Sequence, residues 1–175
     1  MPSKNPGRPN VGEYAPAFAG YINSVPDGDI RDILQAQLEA TRALLAPLSR
    51  EQALARPKPD DWNILEVIGH ITDAEQIFAY RALRIARGDT TPLAGFEQDD
   101  YVRAAHCSDL SLDDLLDAYT AQRRATLALL RGFDADAWLR RGTASGNPSS
   151  ARAWAYAAAG HELYHIDDFH ARYGI

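Results

Sequence analysis

A chain of 175 residues, 46% of them hydrophobic, suits one domain with a good-sized core. Its net charge of −6 is spread along the sequence and leaves no basic footprint for a nucleic acid backbone. A single cysteine, Cys107, excludes an internal disulfide and fits a reducing, cytoplasmic setting.

The opening MPSKNPGRPN has no apolar h-region, and nothing approaches the length of a membrane span, so a soluble protein is expected. Residues 1–13, with three prolines, read as a flexible tail, and residues 14–175 as one helical domain. A short segment, Tyr14 to Tyr21, is expected to pack on the body before the turn Pro26-Asp27-Gly28. The first long helix is predicted over 30–48, where Leu34, Leu38, Thr41, Leu45 and Leu48 step by four and three. Ser49 with Gln52 forms a capping-box pattern that opens a short turn, ended by Pro57 and Pro59. The second helix, over 63–87, opens on Asn63 with Glu66 as reciprocal cap. It carries two seams, one through Ile64, Ile68, Ile71, Phe78 and Ile85, the other through Val67, His70, Ala74 and Ile77.

A loop from Asp89 to Asp109 is long enough to be functional. The third helix, over 111–131, shows Leu112, Leu116, Tyr119, Arg123, Thr126 and Leu130 before Gly132. A polar loop, Arg140 to Ser149, leads to the last helix over 150–173. Four helices, two short connections and long loops, with no convincing strand and no sheet in the core, predict an all-α four-helix bundle.

The last helix contains His161-Glu162-Leu163-Tyr164-His165. Residues four apart on a helix lie about 40° apart around the axis and about 6 Å along it, so two imidazoles can reach one ion. H-E-x-x-H is the zinc-peptidase pattern, with the glutamate as base. Here the longer pattern breaks down: Asp168 stands where a glycine is needed and Ala171 where a third histidine is needed. A third ligand must come from upstream. His70 lies on the apolar side of the second helix, and Trp154, Ala158, His161 and His165 form the inward seam of the fourth. His70, His161 and His165 are therefore the candidate ligands, while His106 in a loop and His170, about 140° from His165, are not. Three histidines leave coordination positions open, and imidazole does not select one divalent metal.

The segment Trp62-Asn63-Ile64-Leu65-Glu66-Val67-Ile68-Gly69-His70-Ile71-Thr72-Asp73-Ala74-Glu75 resembles the first signature of the DinB/YfiT-like superfamily. Gly160-His161 through His165 resembles its last, and Pro92 to Tyr101 with Arg123 reads like its DinB_2 branch. The resemblance implies an up-down-down-up bundle, often a homodimer, with a divalent metal, zinc or nickel, on His70, His161 and His165. It also implies activity of two kinds: transfer or isomerisation with a low-molecular-weight thiol, or metal-dependent hydrolysis. Many relatives carry a histidine where this chain has Tyr164.

A divalent ion lowers the pKa of a bound water or thiol. Glu162 and Asp73 are the nearest candidates for proton transfer or for support of an imidazole N–H, although Glu162 lies about 100° from His161 around the helix. Glu75 and Arg123 interrupt apolar seams on two helices, so mutual pairing is expected, with an anion-binding Arg123 as the alternative. Cys107 reads as a bystander. Three classes follow: a thiol-dependent transferase, a hydrolase of a small amide or ester, and a non-enzymatic metal-binding stress protein. A small-molecule substrate fits the first two.

Overall fold

The computed structural model describes residues 5–175, so the first four residues of the expected tail lie outside the described residues. After a 3₁₀ turn at Pro16–Phe18 come the helices α1 (Ala19–Ser24), α2 (Ile30–Leu45), α3 (Arg50–Leu54) and α4 (Ile64–Ala86). They are followed by α5 (Gln98–Ala105), a 3₁₀ turn at Cys107–Asp109, α6 (Leu112–Arg131) and α7 (Ala135–Leu139). A hairpin of β1 (Arg141–Ala144) and β2 (Asn147–Ser150) leads into α8 (Ala151–Asp168), which ends in a π-helical turn at Phe169–Tyr173.

The four long helices α2, α4, α6 and α8 form the bundle. Their starts follow from side-chain caps: Asp29 on α2, Asn63 with Glu66 on α4, Ser111 on α6 and Ser150 on α8 each satisfy an otherwise orphan N–H. The predicted capping box at Ser49 and Gln52 opens α3. Both α2 and α4 pack on α6 and on α8, which puts α2 and α4 at opposite corners. The apolar seams predicted for α2 and α4 face inward almost throughout, with Ile77 half-buried, but α2 ends at Leu45, which leaves Leu48 of the predicted seam beyond the helix and half-buried. No helix among the described residues is long and apolar enough to cross a membrane.

One ion-pair network joins all four long helices. Arg123 on α6, fully buried, donates from Nε and Nη2 to the Glu75 carboxylate on α4 at 2.8–3.0 Å. The same guanidinium reaches Glu162 on α8 and, at 2.8 Å, the Leu34 carbonyl on α2. Thr41 of α2 and Tyr119 of α6 each donate to Glu162 at 2.6 Å. The expected pairing of Glu75 with Arg123 is therefore present, and Glu162 is its third member.

The structure departs from the all-α expectation in the segment read as a polar loop. β1 and β2 pair antiparallel with Ala144 opposite Asn147, and both turn residues have positive φ, Ser145 at 50° and Gly146 at 74°. That is the backbone of a tight I′-type hairpin. Ala144, Ser149 and Ser150 are buried, so the hairpin closes one end of the core after all. Leu93 adds to its edge, donating to the Thr143 carbonyl and accepting from Ser145, both at 2.9 Å. Strands of four residues, one holding Pro148, are too short to show an alternating pattern. The Asp89–Asp109 loop likewise holds α5 and a 3₁₀ turn.

The segment read as a flexible tail makes specific contacts from Asn5 onward. Arg8 donates to the Ile22 carbonyl and, at 2.6 Å, to that of Val25. Glu13 is buried and accepts from Arg152 at 2.5 and 2.7 Å and from Ser150 at 2.8 Å. The Arg152 bonds, with smaller help from Ser150 and Asn10, outweigh burial and hold the Glu13 carboxyl down to about 2. Its stabilising contribution is thus complete above the ordinary value of 4.5 and is lost as pH falls from there toward about 2. Glu13→Gln should flatten that part of the acid-unfolding curve, measured by circular dichroism against wild type.

Gly160 lets α1 lie directly on α8: a Cβ there would sit 1.9 Å from the Tyr21 carbonyl oxygen. Backbone cannot swing aside as a side chain can. Gly160→Ala should cost about 1–3 kcal/mol in urea unfolding, and a variant as stable as wild type would contradict this contact.

Candidate metal centre

His70 comes from the middle of α4, and His161 and His165 from successive turns of α8. All three are buried, at 4%, 6% and 8% exposure. Their Nε2 atoms point at one another, with His70 to His161 at 2.9 Å and His165 to His161 at 3.2 Å. An imidazole nitrogen has one in-plane site, either a proton or a lone pair. His161 Nε2 therefore cannot satisfy both neighbours by hydrogen bonding. Three lone pairs aimed at one cation resolve the conflict.

The two short spacings fit such a cation, and all three ligand nitrogens lie within 4.8 Å of one another. Two nitrogens each about 2.05 Å from an ion lie about 2.9 Å apart at a right angle and about 3.3 Å apart at the tetrahedral angle. Electrostatics agree. Burial, and then the proximity of His165, push His70 down to about 4, with Asp99 opposing; burial alone takes His165 to about 4. His161 is driven well below its ordinary range by burial and by both neighbouring rings. At neutral pH the three imidazoles are uncharged and able to ligate. Among the described residues, no carboxylate or thiol joins them in the cluster.

Aromatic rings wall the triad. Trp62, just before the α4 cap, lies 4.9 Å from the His70 ring, and Phe78 5.8 Å from that of His161. Tyr21 stands edge-on to His161 at 5.5 Å, and Tyr164 to His165 at 5.2 Å. Beside His165 opens a cavity of about 300 Å³, bordered by Trp62, Tyr21, Tyr164, Asp168 and Gln98 of α5. The Asp89–Asp109 segment thus contributes to the site through α5. Tyr21 and the stretch before Asn63 also border it, and sequence reasoning assigned neither a role there.

The two candidates for proton transfer lie elsewhere. Glu162 turns its carboxylate to Thr41, Tyr119 and Arg123. Asp73, one turn beyond His70 on α4, lines a separate cavity with Gln76, Ile77, Tyr80 and Tyr101, and burial raises its pKa. Cys107 packs against Gly69, and burial pushes its thiol up, with Asp73 and Glu66 adding to the shift. His106 is exposed at the left-handed C-cap of α5, and exposed His170 meets the Ile175 carbonyl.

A profile of the DinB superfamily matches residues 33–168, most of the chain and every residue of the triad. The chain belongs to the DinB superfamily. No curated protein matches its sequence significantly. Among solved structures it is similar to YfiT from Bacillus subtilis, with a TM-score of 0.69 and 15% identity, over 94% of this chain and 95% of that one. YfiT is described as a probable metal-dependent hydrolase with an unusual four-helix bundle topology. At that identity the likeness establishes the shared fold of this DinB protein.

Loss of one ligand should be separable from loss of the fold. His161→Ala is expected to abolish stoichiometric zinc or nickel binding, read by elemental analysis of metal-loaded protein, with the helical circular dichroism signal retained. By contrast, Arg123→Ala leaves two buried carboxylates without their cation and should cost about 3–5 kcal/mol in urea unfolding.

Proposed function

We propose that this protein is a divalent-metal-dependent enzyme acting on a small molecule, with His70, His161 and His165 holding zinc or nickel, and that its reaction is transfer of a low-molecular-weight thiol to an electrophile. The observation that carries the reading is the convergence of three buried, neutral imidazoles beside an open cavity. A closed structural site would use a fourth protein ligand. A divalent ion on these ligands supplies charge that acidifies a bound thiol or water and polarises an electrophilic oxygen.

The chain's own residues favour thiol over water as the reacting partner. A thiol loses its proton near neutral pH with modest help, whereas water needs a well-placed base. Among the described residues no carboxylate joins the triad cluster, Glu162 is held in the helix clasp, and Asp61 and Asp168 at the cavity are paired with Arg172. Cys107, buried with a raised pKa, does not serve as a protein nucleophile. Trp62, Tyr21 and Tyr164 flank the triad and offer ring faces to the body of a bound substrate. Hydrolysis of a small amide or ester is the second reading, favoured by the fold shared with YfiT. As the DinB resemblance implies, we take the bundle to run up-down-down-up and the protein to act as a homodimer; a monomer in sedimentation would overturn the dimer alone.

One metal-loaded preparation, with and without chelator, should be assayed against thiol plus electrophile and against amides and esters. Chelator-sensitive thiol consumption faster than with free metal is expected. Cys107→Ser should keep it, and replacement of any one of the three histidines should remove it. Chelator-sensitive cleavage of an amide or ester in place of thiol transfer assigns the hydrolase. Turnover of neither leaves a metal-binding stress protein.

A further inference from the structure

Three arginines among the described residues are buried, and their surroundings differ: Arg152 has Glu13. Arg123 has two carboxylates. Arg81, on α4 and 3% exposed, has none among the described residues. Its Nη2 donates to the Ala94 carbonyl at 2.8 Å and to Ser145 Oγ at 3.0 Å, and its guanidinium lies 4.7 Å from the centre of the Trp154 ring. Burial lowers its pKa and nothing offsets that effect, yet a guanidinium stays charged. Buried charges are normally paired.

The other N–H groups of Arg81 have somewhere to point. Among the described residues, the only fully buried side-chain nitrogen or oxygen without a partner is Gln37 Oε1. The Nε and Nη1 of Arg81 make no protein hydrogen bond, so they border open space rather than packed apolar wall. Arg81 lines a cavity of about 310 Å³ between α4 and the Thr91–Phe96 segment, with Tyr80 and Tyr101 at its sides. Two arginines line it and no carboxylate does, in a chain of net charge −6. The second, Arg84, is already engaged by Asp89 and the Tyr80 hydroxyl. The uncompensated charge is that of Arg81.

We propose that this cavity binds a small organic anion, its carboxylate on the free N–H groups of Arg81 and its apolar body against Ile77, Phe96 and Tyr101. A planar guanidinium fork recognises two oxygens of one group, and the cavity has the size of a small-ligand pocket. Arg81 follows His70 by eleven residues, about 16 Å along α4, so the site is separate from the triad. It does not depend on a metal being bound.

The test uses the full chain, freed of metal with a chelator that is then dialysed away. Benzoate, acetate and inorganic phosphate are titrated at constant ionic strength. The Arg81 Nε–H resonance is followed by NMR, and melting temperature is measured alongside. Benzoate should shift that resonance saturably, bind several-fold tighter than acetate and raise the melting temperature. Arg81→Met should lose all three effects while zinc binding persists. Should that variant fail to fold, Arg81→Lys keeps the charge without the fork, and at least tenfold weaker benzoate binding is expected. Saturation by phosphate instead of benzoate keeps Arg81 as an oxyanion site and overturns the carboxylate with an apolar body. An Arg81 resonance unmoved by all three anions at high millimolar concentration, or benzoate binding undiminished in Arg81→Met, overturns the site altogether.

Discussion

The fold hangs on one guanidinium. Arg123 binds Glu75 of α4, Glu162 of α8 and the Leu34 carbonyl of α2 from its own place on α6, so one side chain addresses all four long helices. An isolated buried ion pair often contributes little, because desolvation offsets attraction. Its value here is positional. Apolar seams such as Leu34–Leu38–Leu45 tolerate sliding and rotation, whereas charge-assisted hydrogen bonds between buried groups admit one arrangement. Burial raises the pKa of Tyr119, so its hydroxyl stays protonated and donates to Glu162, completing the network.

That constraint reaches the candidate metal centre through α8. Glu162 adjoins His161, and fixing its carboxylate on the α2–α6 side sets the rotation of α8 about its axis. His161 and His165 are then directed at α4, where His70 waits. On the other flank, Gly160 admits the α1 backbone, bringing Tyr21 against His161. The sequence Gly160-His161-Glu162 thus has three consecutive places in the structure: a helix contact, a member of the histidine triad and a clasp. The H-E-x-x-H pattern survives while its glutamate serves structure, which separates this site from the peptidase that the same letters suggest.

Much of this was legible in the sequence, for physical reasons. Caps at Asn63 and Ser49 advertise helix starts through local hydrogen bonding, and the α2 and α4 seams display burial at a period of 3.6. The triad could be read because two of its members are four residues apart on one helix and the third interrupts an apolar seam. The Glu75–Arg123 pair was visible as two charges in apolar positions. The third partner was not, since Glu162 was masked by a motif that offered it another role. The hairpin was missed because Thr143, Ala144, Pro148 and Ser149 carry no alternation. Its turn depends on positive φ at Ser145 and Gly146, and only the glycine signals that in the sequence. Tyr21 was unreadable for a different reason: its contact with His161 arises from backbone approach at Gly160, and no side-chain period encodes it.

Charge placement inside the bundle follows from the same comparison. Around Arg123, two carboxylates meet one cation, and the excess negative charge is stabilised by the hydroxyls of Thr41 and Tyr119. Around Arg81, one cation meets only carbonyl, hydroxyl and ring faces. The first arrangement is closed: its donors and acceptors are matched, and what it yields is rigidity. The second is open, because dipoles and a π face soften a buried charge without neutralising it. The three imidazoles are a third case, held toward the neutral form by burial and clustered together. The clasp at Arg123 is thus matched by the protein's own groups, whereas the charge of Arg81 and the three clustered imidazoles are not, and these two places are where a ligand is proposed to complete the balance.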